Sequence, residues 1–151
     1  MEIKRILFPT DFSEGSSNAL QYAIDMTKRY GAKLYLIHVI YDIAKATGWY
    51  VPHTSMDEMY KDIEKGAEKE LGRYGLEELR GLKGIEKSVL KGVPHDVIVK
   101  FANDNKIDLI VMGTHGRKGV GRLLFGSTAS QVVRYSPCPV LTVRIPMYKR
   151  K

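Results

Sequence analysis

The chain has 151 residues, with 24 Lys and Arg against 17 Asp and Glu, a formal net charge of +7, and 44% hydrophobic and 27% charged residues. That length suits one domain, residues 1–151, around one core, and the composition excludes disordered, collagen-like and low-complexity classes. No apolar run approaches the ~18 residues of a membrane span, the N-terminus lacks a signal-peptide design, and the one cysteine, Cys138, forms no internal disulfide, so the expected setting is cytoplasmic, without a membrane.

The first strong element is Ile3 to Phe8, where Ile6, Leu7 and Phe8 form a continuous apolar run. Such runs suit parallel strands covered on both faces. Pro9-Thr10-Asp11 ends it, and Ser13 is placed to cap a helix whose buried stripe is Ala19, Leu20, Ala23, Ile24 and Thr27, stopped by Gly31. Leu34 to Ile40 reads as a second buried strand. Tyr41 to Ser55 is the least regular stretch and is expected to form a lid or an edge cover. A charged helix follows from about Met56 to Leu79, with Met59, Ile63, Ala67, Leu71 and Tyr74 as its apolar positions and Gly81 and Gly84 as breakers. Ile85 to Leu90 is more polar, as an edge strand should be. Pro94 opens a short helix with the stripe Val97, Ile98, Phe101 and Ala102. Leu109 to Met112 is a buried strand ended by Gly113, and a helix from Ser127 to Tyr135 turns Thr128, Ala129, Val132 and Val133 inward. Val140 to Ile145 forms the last strand. Strict strand–helix alternation calls for right-handed crossovers, and so for an α/β sheet of five parallel strands between helical layers, with helices on both faces.

Bulk charge does not identify a partner. The positive residues are spread along the chain, and the segment Asp57 to Arg80 mixes signs as a solvated helix face does. Local excesses are confined to Arg117, Lys118 and Arg122 and to the tail Lys149 to Lys151, so nucleic acid is the weakest candidate ligand.

The segment Gly113 to Thr128 carries the chemistry. Its glycines let backbone N–H groups approach a ligand. It runs into a helix start, where unpaired N–H groups and the dipole attract anions. Ser127 and Thr128 add hydroxyls, and Arg117 and Lys118 add charge; the alternative is a plain flexible connection. No Gly-Lys-Ser or Gly-Lys-Thr occurs, so this is not a Walker loop, and Gly119-Val120-Gly121-Arg122-Leu123-Leu124 fails the dinucleotide fingerprint. If the first and fourth strands are neighbours, Pro9-Thr10-Asp11 faces Gly113 across a crevice at the strands' carboxyl ends. Asp11 then accepts from ribose hydroxyls or helps hold a metal, or else caps the first helix with Ser13.

These residues resemble the universal stress protein family: ILFPTDFSE at Ile6–Glu14, GAKLYLIHV ending at Val39, CPVLTV at Cys138–Val143, and Gly113, Gly116, Gly126 and Ser127 in the spacing G-x2-G-x9-G-[ST] of its ATP-binding members. The resemblance implies an open, doubly wound sheet in strand order 3-2-1-4-5, a homodimer through Val140–Ile145, ATP as ligand, and a stress or signalling role read by a still unidentified protein partner; magnesium or manganese is a candidate companion of the ATP. By carry-over, Val39 meets adenine through its backbone, and Pro9, Thr10 and Asp11 line the nucleoside end. Met112, Gly113, Thr114, His115, Gly116 and Arg117 follow the ribose and phosphates, and Gly126, Ser127 and Thr128 hold the phosphate tail.

Outside that set, His38 reads as a core histidine with its own partner, His95 as a surface residue, and His53 as unpaired in the irregular stretch. His115, inside the glycine segment, is the one histidine placed to touch phosphate. Cys138, between two prolines, reads as buried and unreactive, and Trp49 as a cover for the sheet. No nucleophile–base pair and no paired acids are legible, so no catalytic residue is assigned; slow ATP hydrolysis or phosphotransfer at the same site, with Asp11 assisting a metal, is the alternative to a binding module.

Overall fold

The computed structural model describes residues 1–48, 53–115 and 126–146. Its five strands are β1 (Arg5–Pro9), β2 (Lys33–Tyr41), β3 (Ile85–Gly92), β4 (Leu109–Gly113) and β5 (Val140–Val143). All pair in parallel, in the order β3-β2-β1-β4-β5. The helices are α1 (Glu14–Tyr30), α2 (Ile43–Thr47), α3 (His53–Arg73), α4 (Pro94–Asp104) and α5 (Ser127–Tyr135).

Strand pleating splits the core into two layers. Ile6 and Phe8 of β1, with Leu34 and Leu36 of β2 and Val111 of β4, pack under α1 and the end of α3. Leu7, Tyr35, Ile37, Ile110 and Met112 point the other way, against Ile98 and Ala102 of α4 and Ala129 and Val132 of α5. Ile6, Leu7 and Phe8 are wholly buried because β1 lies in the middle of a sheet covered on both faces, which is why their run shows no alternation. From β1 the chain winds outward through β2 to β3; from β4 it winds the opposite way to β5. The direction therefore reverses between β1 and β4.

The first helix forms as its sequence demands. The Ser13 hydroxyl accepts from the Ser16 N–H at 3.2 Å, Ala19, Leu20, Ala23, Ile24 and Thr27 are all buried, and Gly31 closes the helix at φ 62°. Five expectations are corrected. The stretch after Tyr41 is not irregular throughout: Asp42 accepts from the Lys45 N–H at 3.1 Å and left-handed Gly48 ends α2, a five-residue helix too short to register as a periodic pattern. The long helix ends at Arg73, not Leu79, because the Lys87 ammonium takes the carbonyls of Leu71 (2.9 Å) and Tyr74 (3.1 Å) and Gly75 turns left-handed. Met59 and Ile63 face outward, at 43% and 42% exposure, because α3 is rotated to bury Tyr60, Ala67 and Leu71. The Lys91 ammonium lies 3.6 Å from the Tyr60 ring centroid, and the Tyr60 hydroxyl accepts from the Ile43 N–H. On α5, Val133 is 49% exposed, since Ala129 and Val132 alone meet the sheet-side core. The last strand stops at Val143, leaving Arg144 and Ile145 beyond it.

Candidate functional site

The order of the strands builds the site. Because β1 and β4 are neighbours and all strands run the same way, Pro9-Thr10-Asp11 and Gly113-Thr114-His115 leave the sheet side by side at its carboxyl edge. This is the point of reversed winding, where open parallel sheets leave a crevice for ligands.

On the β1 side, Thr10 is 4% exposed and tied in four ways. Its N–H donates to the Ile37 carbonyl at 2.8 Å, and its carbonyl meets His38 Nδ1 at 2.8 Å. Its hydroxyl oxygen accepts from the Phe12 N–H at 3.0 Å and from the Ser16 hydroxyl at 2.7 Å. Asp11 is half-buried, and its Oδ1 accepts from the Ser13 N–H at 3.0 Å, an Asx turn that leads into α1. Ser13, not Asp11, makes the cap of α1. Between them Phe12 adopts φ 64°, a conformation that costs an L-residue about 1–2 kcal/mol. Its ring is stacked on His38, with centroids 4.4 Å apart, and meets Tyr74 edge-on at 5.5 Å, contacts that offset the cost.

On the β4 side, Met112 is buried in the α4–α5 layer, so it can present only its main chain to a ligand. Gly113 answers to packing as well as to any ligand: a Cβ there would lie 2.9 Å from the Gly15 carbonyl oxygen. A Cβ on Gly15 would in turn lie 2.8 Å from the His115 carbonyl oxygen. Thr114 is buried, donates from its N–H to the Val143 carbonyl at 3.1 Å, and accepts from the Gly126 N–H at 2.6 Å. The Gly126 bond brings the start of α5 back to the end of β4. The Thr114 hydroxyl lies 2.8 Å from His115 Nδ1. Gly126 precedes α5 with no side-chain cap, in contrast to α1, and Ser127 is exposed beside half-buried Thr128. Val39 stands near the end of β2, its side chain packed on the α4–α5 layer. Gly116 and Arg117 lie outside the described residues, as do Lys118, Arg122, Trp49 and the basic tail.

Sequence reasoning missed Gly15, Ser16 and Phe12, and gave His38 no relation to the site. The signal for Gly15 and Ser16 was present: Gly-Ser-Ser at a helix start offers the small side chains that a close crossing with β4 needs. Among the described residues no three His, Cys, Asp or Glu side chains gather as a metal cluster, and no helix is long and apolar enough to cross a membrane. Burial pushes the Cys138 thiol above its ordinary range.

Residues 2–144 match the universal stress protein family. The chain belongs to that family. A universal stress protein of Methanocaldococcus jannaschii, MJ0531, is 39% identical over 145 residues, spanning 95% of this chain and 83% of its own. Among solved structures, that of MJ0577 from the same organism superposes with a TM-score of 0.85 at 28% identity, covering 98% of this universal stress protein and all of the other chain. A universal stress protein crystallised in complex with cAMP shares the fold at a TM-score of 0.63 and 24% identity, over 95% of this chain and 98% of its own.

Proposed function

We propose that this universal stress protein is an ATP-binding module, dimeric through β5, whose nucleotide state is read by a protein partner. The observation that carries the reading is the adjacency of β1 and β4, which sets Thr10 and Asp11 beside Gly113 and Thr114 at the reversal of winding. In this reading the main chain at Val39 faces adenine, while Pro9, Thr10 and Asp11 line the nucleoside, with the Asp11 carboxylate accepting from ribose hydroxyls. Met112 to Arg117 follow the ribose and first phosphates. Gly126, Ser127 and Thr128 receive the terminal phosphates, where α5 offers N–H groups that no side-chain cap occupies. Should Asp11 serve a divalent cation instead of the ribose, that ion would neutralise phosphate charge, as magnesium commonly does. The cAMP complex of a fold neighbour indicates that this architecture accommodates an adenine nucleotide.

Mass spectrometry of small molecules released from denatured protein, with calorimetric titration of ATP, tests the site. Wild-type protein is expected to bind ATP and a Gly116→Val, Gly126→Val variant to lose it; equal affinity in both removes the assignment. Assembly is tested separately by sedimentation, where a mass of one chain at micromolar concentration removes the dimer. Among the described residues β5 stands at an edge of the sheet, where a strand of a second chain could add.

A further inference from the structure

We infer that His38 is a positioning residue for the nucleoside end of the crevice: its imidazole, carrying a proton on Nδ1, holds the Thr10–Asp11 segment through the Thr10 carbonyl and a ring stack with Phe12. The inference rests on the ATP reading of this site.

The chemistry fixes the tautomer. A main-chain carbonyl only accepts, so the ring nitrogen 2.8 Å from the Thr10 oxygen is the donor, and Nδ1 bears hydrogen. The need for that donor follows from the sheet. Strand β1 ends at Pro9, and the Thr10 N–H still bonds the main chain of β2, at the Ile37 carbonyl. The Thr10 carbonyl has left the ladder, and a buried carbonyl needs a partner. The next residue of β2 supplies one from its side chain. The same imidazole carries the Phe12 ring on its face, at 4.4 Å and 27°, so one side chain secures both the carbonyl and the left-handed residue two positions on. Tyr74 closes the other edge of Phe12, and its hydroxyl reaches Ser16 at 3.4 Å, whose own hydroxyl donates to Thr10. Along β2 the side chains alternate, so His38 faces the α1 layer and Val39 the α4 layer. The peptide joining them is shared by the clamp and by the main chain assigned to adenine. Loss of His38 therefore loosens both walls of the nucleoside end and leaves the phosphate end, built on Gly126 to Thr128, in place.

The test compares ATP with inorganic tripolyphosphate on wild type, His38→Leu, His38→Asn and His38→Gln, each checked for folding by its thermal melt. His38→Leu keeps apolar bulk without a donor and is expected to weaken ATP by about tenfold while leaving tripolyphosphate within about threefold. His38→Asn puts an amide N–H near the Nδ1 position and is expected to restore ATP to within about threefold of wild type; His38→Gln, with its amide further out, is not. Long-range proton–nitrogen NMR of the free protein is expected to find His38 protonated on Nδ1. A proton on Nε2 alone, undiminished ATP affinity in His38→Leu, or equal losses for ATP and tripolyphosphate each overturn this inference while leaving the ATP reading standing. Wild-type protein that takes tripolyphosphate but no adenine nucleotide overturns the ATP reading and this one together.

Discussion

Replacing Gly113 with alanine adds one methyl group where β4 crosses the first turn of α1. The new Cβ would stand 2.9 Å from the Gly15 carbonyl oxygen and 3.3 Å from the Ser16 nitrogen, both main-chain atoms that cannot swing aside as a side chain would. Ordinary contact would need about half an ångström more, so α1 and β4 must separate. Overpacking of this kind costs about 1–3 kcal/mol. For a chain of this size that is a fall in Tm of roughly 2–12 °C. Urea unfolding measures the cost directly, and Gly66→Ala is the matched control. Gly66 lies in the exposed middle of α3 with nothing within 4 Å of its Cβ position, so the same chemical change there should stabilise by about 0.5–1 kcal/mol. Gly15→Ala strikes the His115 carbonyl across the same crossing, and the double variant should lose less than the two single losses added, because the first separation makes room for the second methyl. Gly113→Ala with the stability of wild type, or Gly113→Ala and Gly66→Ala shifting stability in the same direction, would refute the crossing as the reason for this glycine.

Lys87→Met should cost about 1–2 kcal/mol, since the ammonium serves the Leu71 and Tyr74 carbonyls at the end of α3 and burial already opposes its charge. Amide hydrogen exchange at Glu70–Arg73 should accelerate with it, and unchanged exchange would show that the helix stops there for another reason. The Cys138 thiol has its pKa raised by burial, so its contribution to stability is complete below the unfolded thiol's pKa near 9.0 and is lost as pH climbs through the higher folded value. The stability difference between wild type and Cys138→Ala should accordingly move against wild type between pH 8 and 10, and the folded thiol should react more slowly with an alkylating reagent at pH 8 than the unfolded one. Equal alkylation rates would contradict the half-buried placement of this thiol, where the sequence alone suggested a buried one.

Local physics accounts for what could be read from the chain alone. The apolar run at Ile6–Phe8, the Ser13 cap, the stripe from Ala19 to Thr27 and left-handed Gly31 each depend on neighbours within a turn or two, and each stands in the structure as expected. The alternation of strands and helices limits the fold to a covered parallel sheet, and the spacing Gly113, Gly116, Gly126, Ser127 pointed to the family. Short or rotated elements escaped, because α2 spans less than two turns and the rotation of α3 was decided by Tyr60 meeting Lys91 and Ile43. Only the tertiary structure brought β1 beside β4, a pairing between segments about a hundred residues apart that no local pattern encodes. It also decided why Gly113 must be glycine and why His38 matters, since both answers lie in main-chain atoms, Gly15 and Thr10, that the fold alone carries into contact.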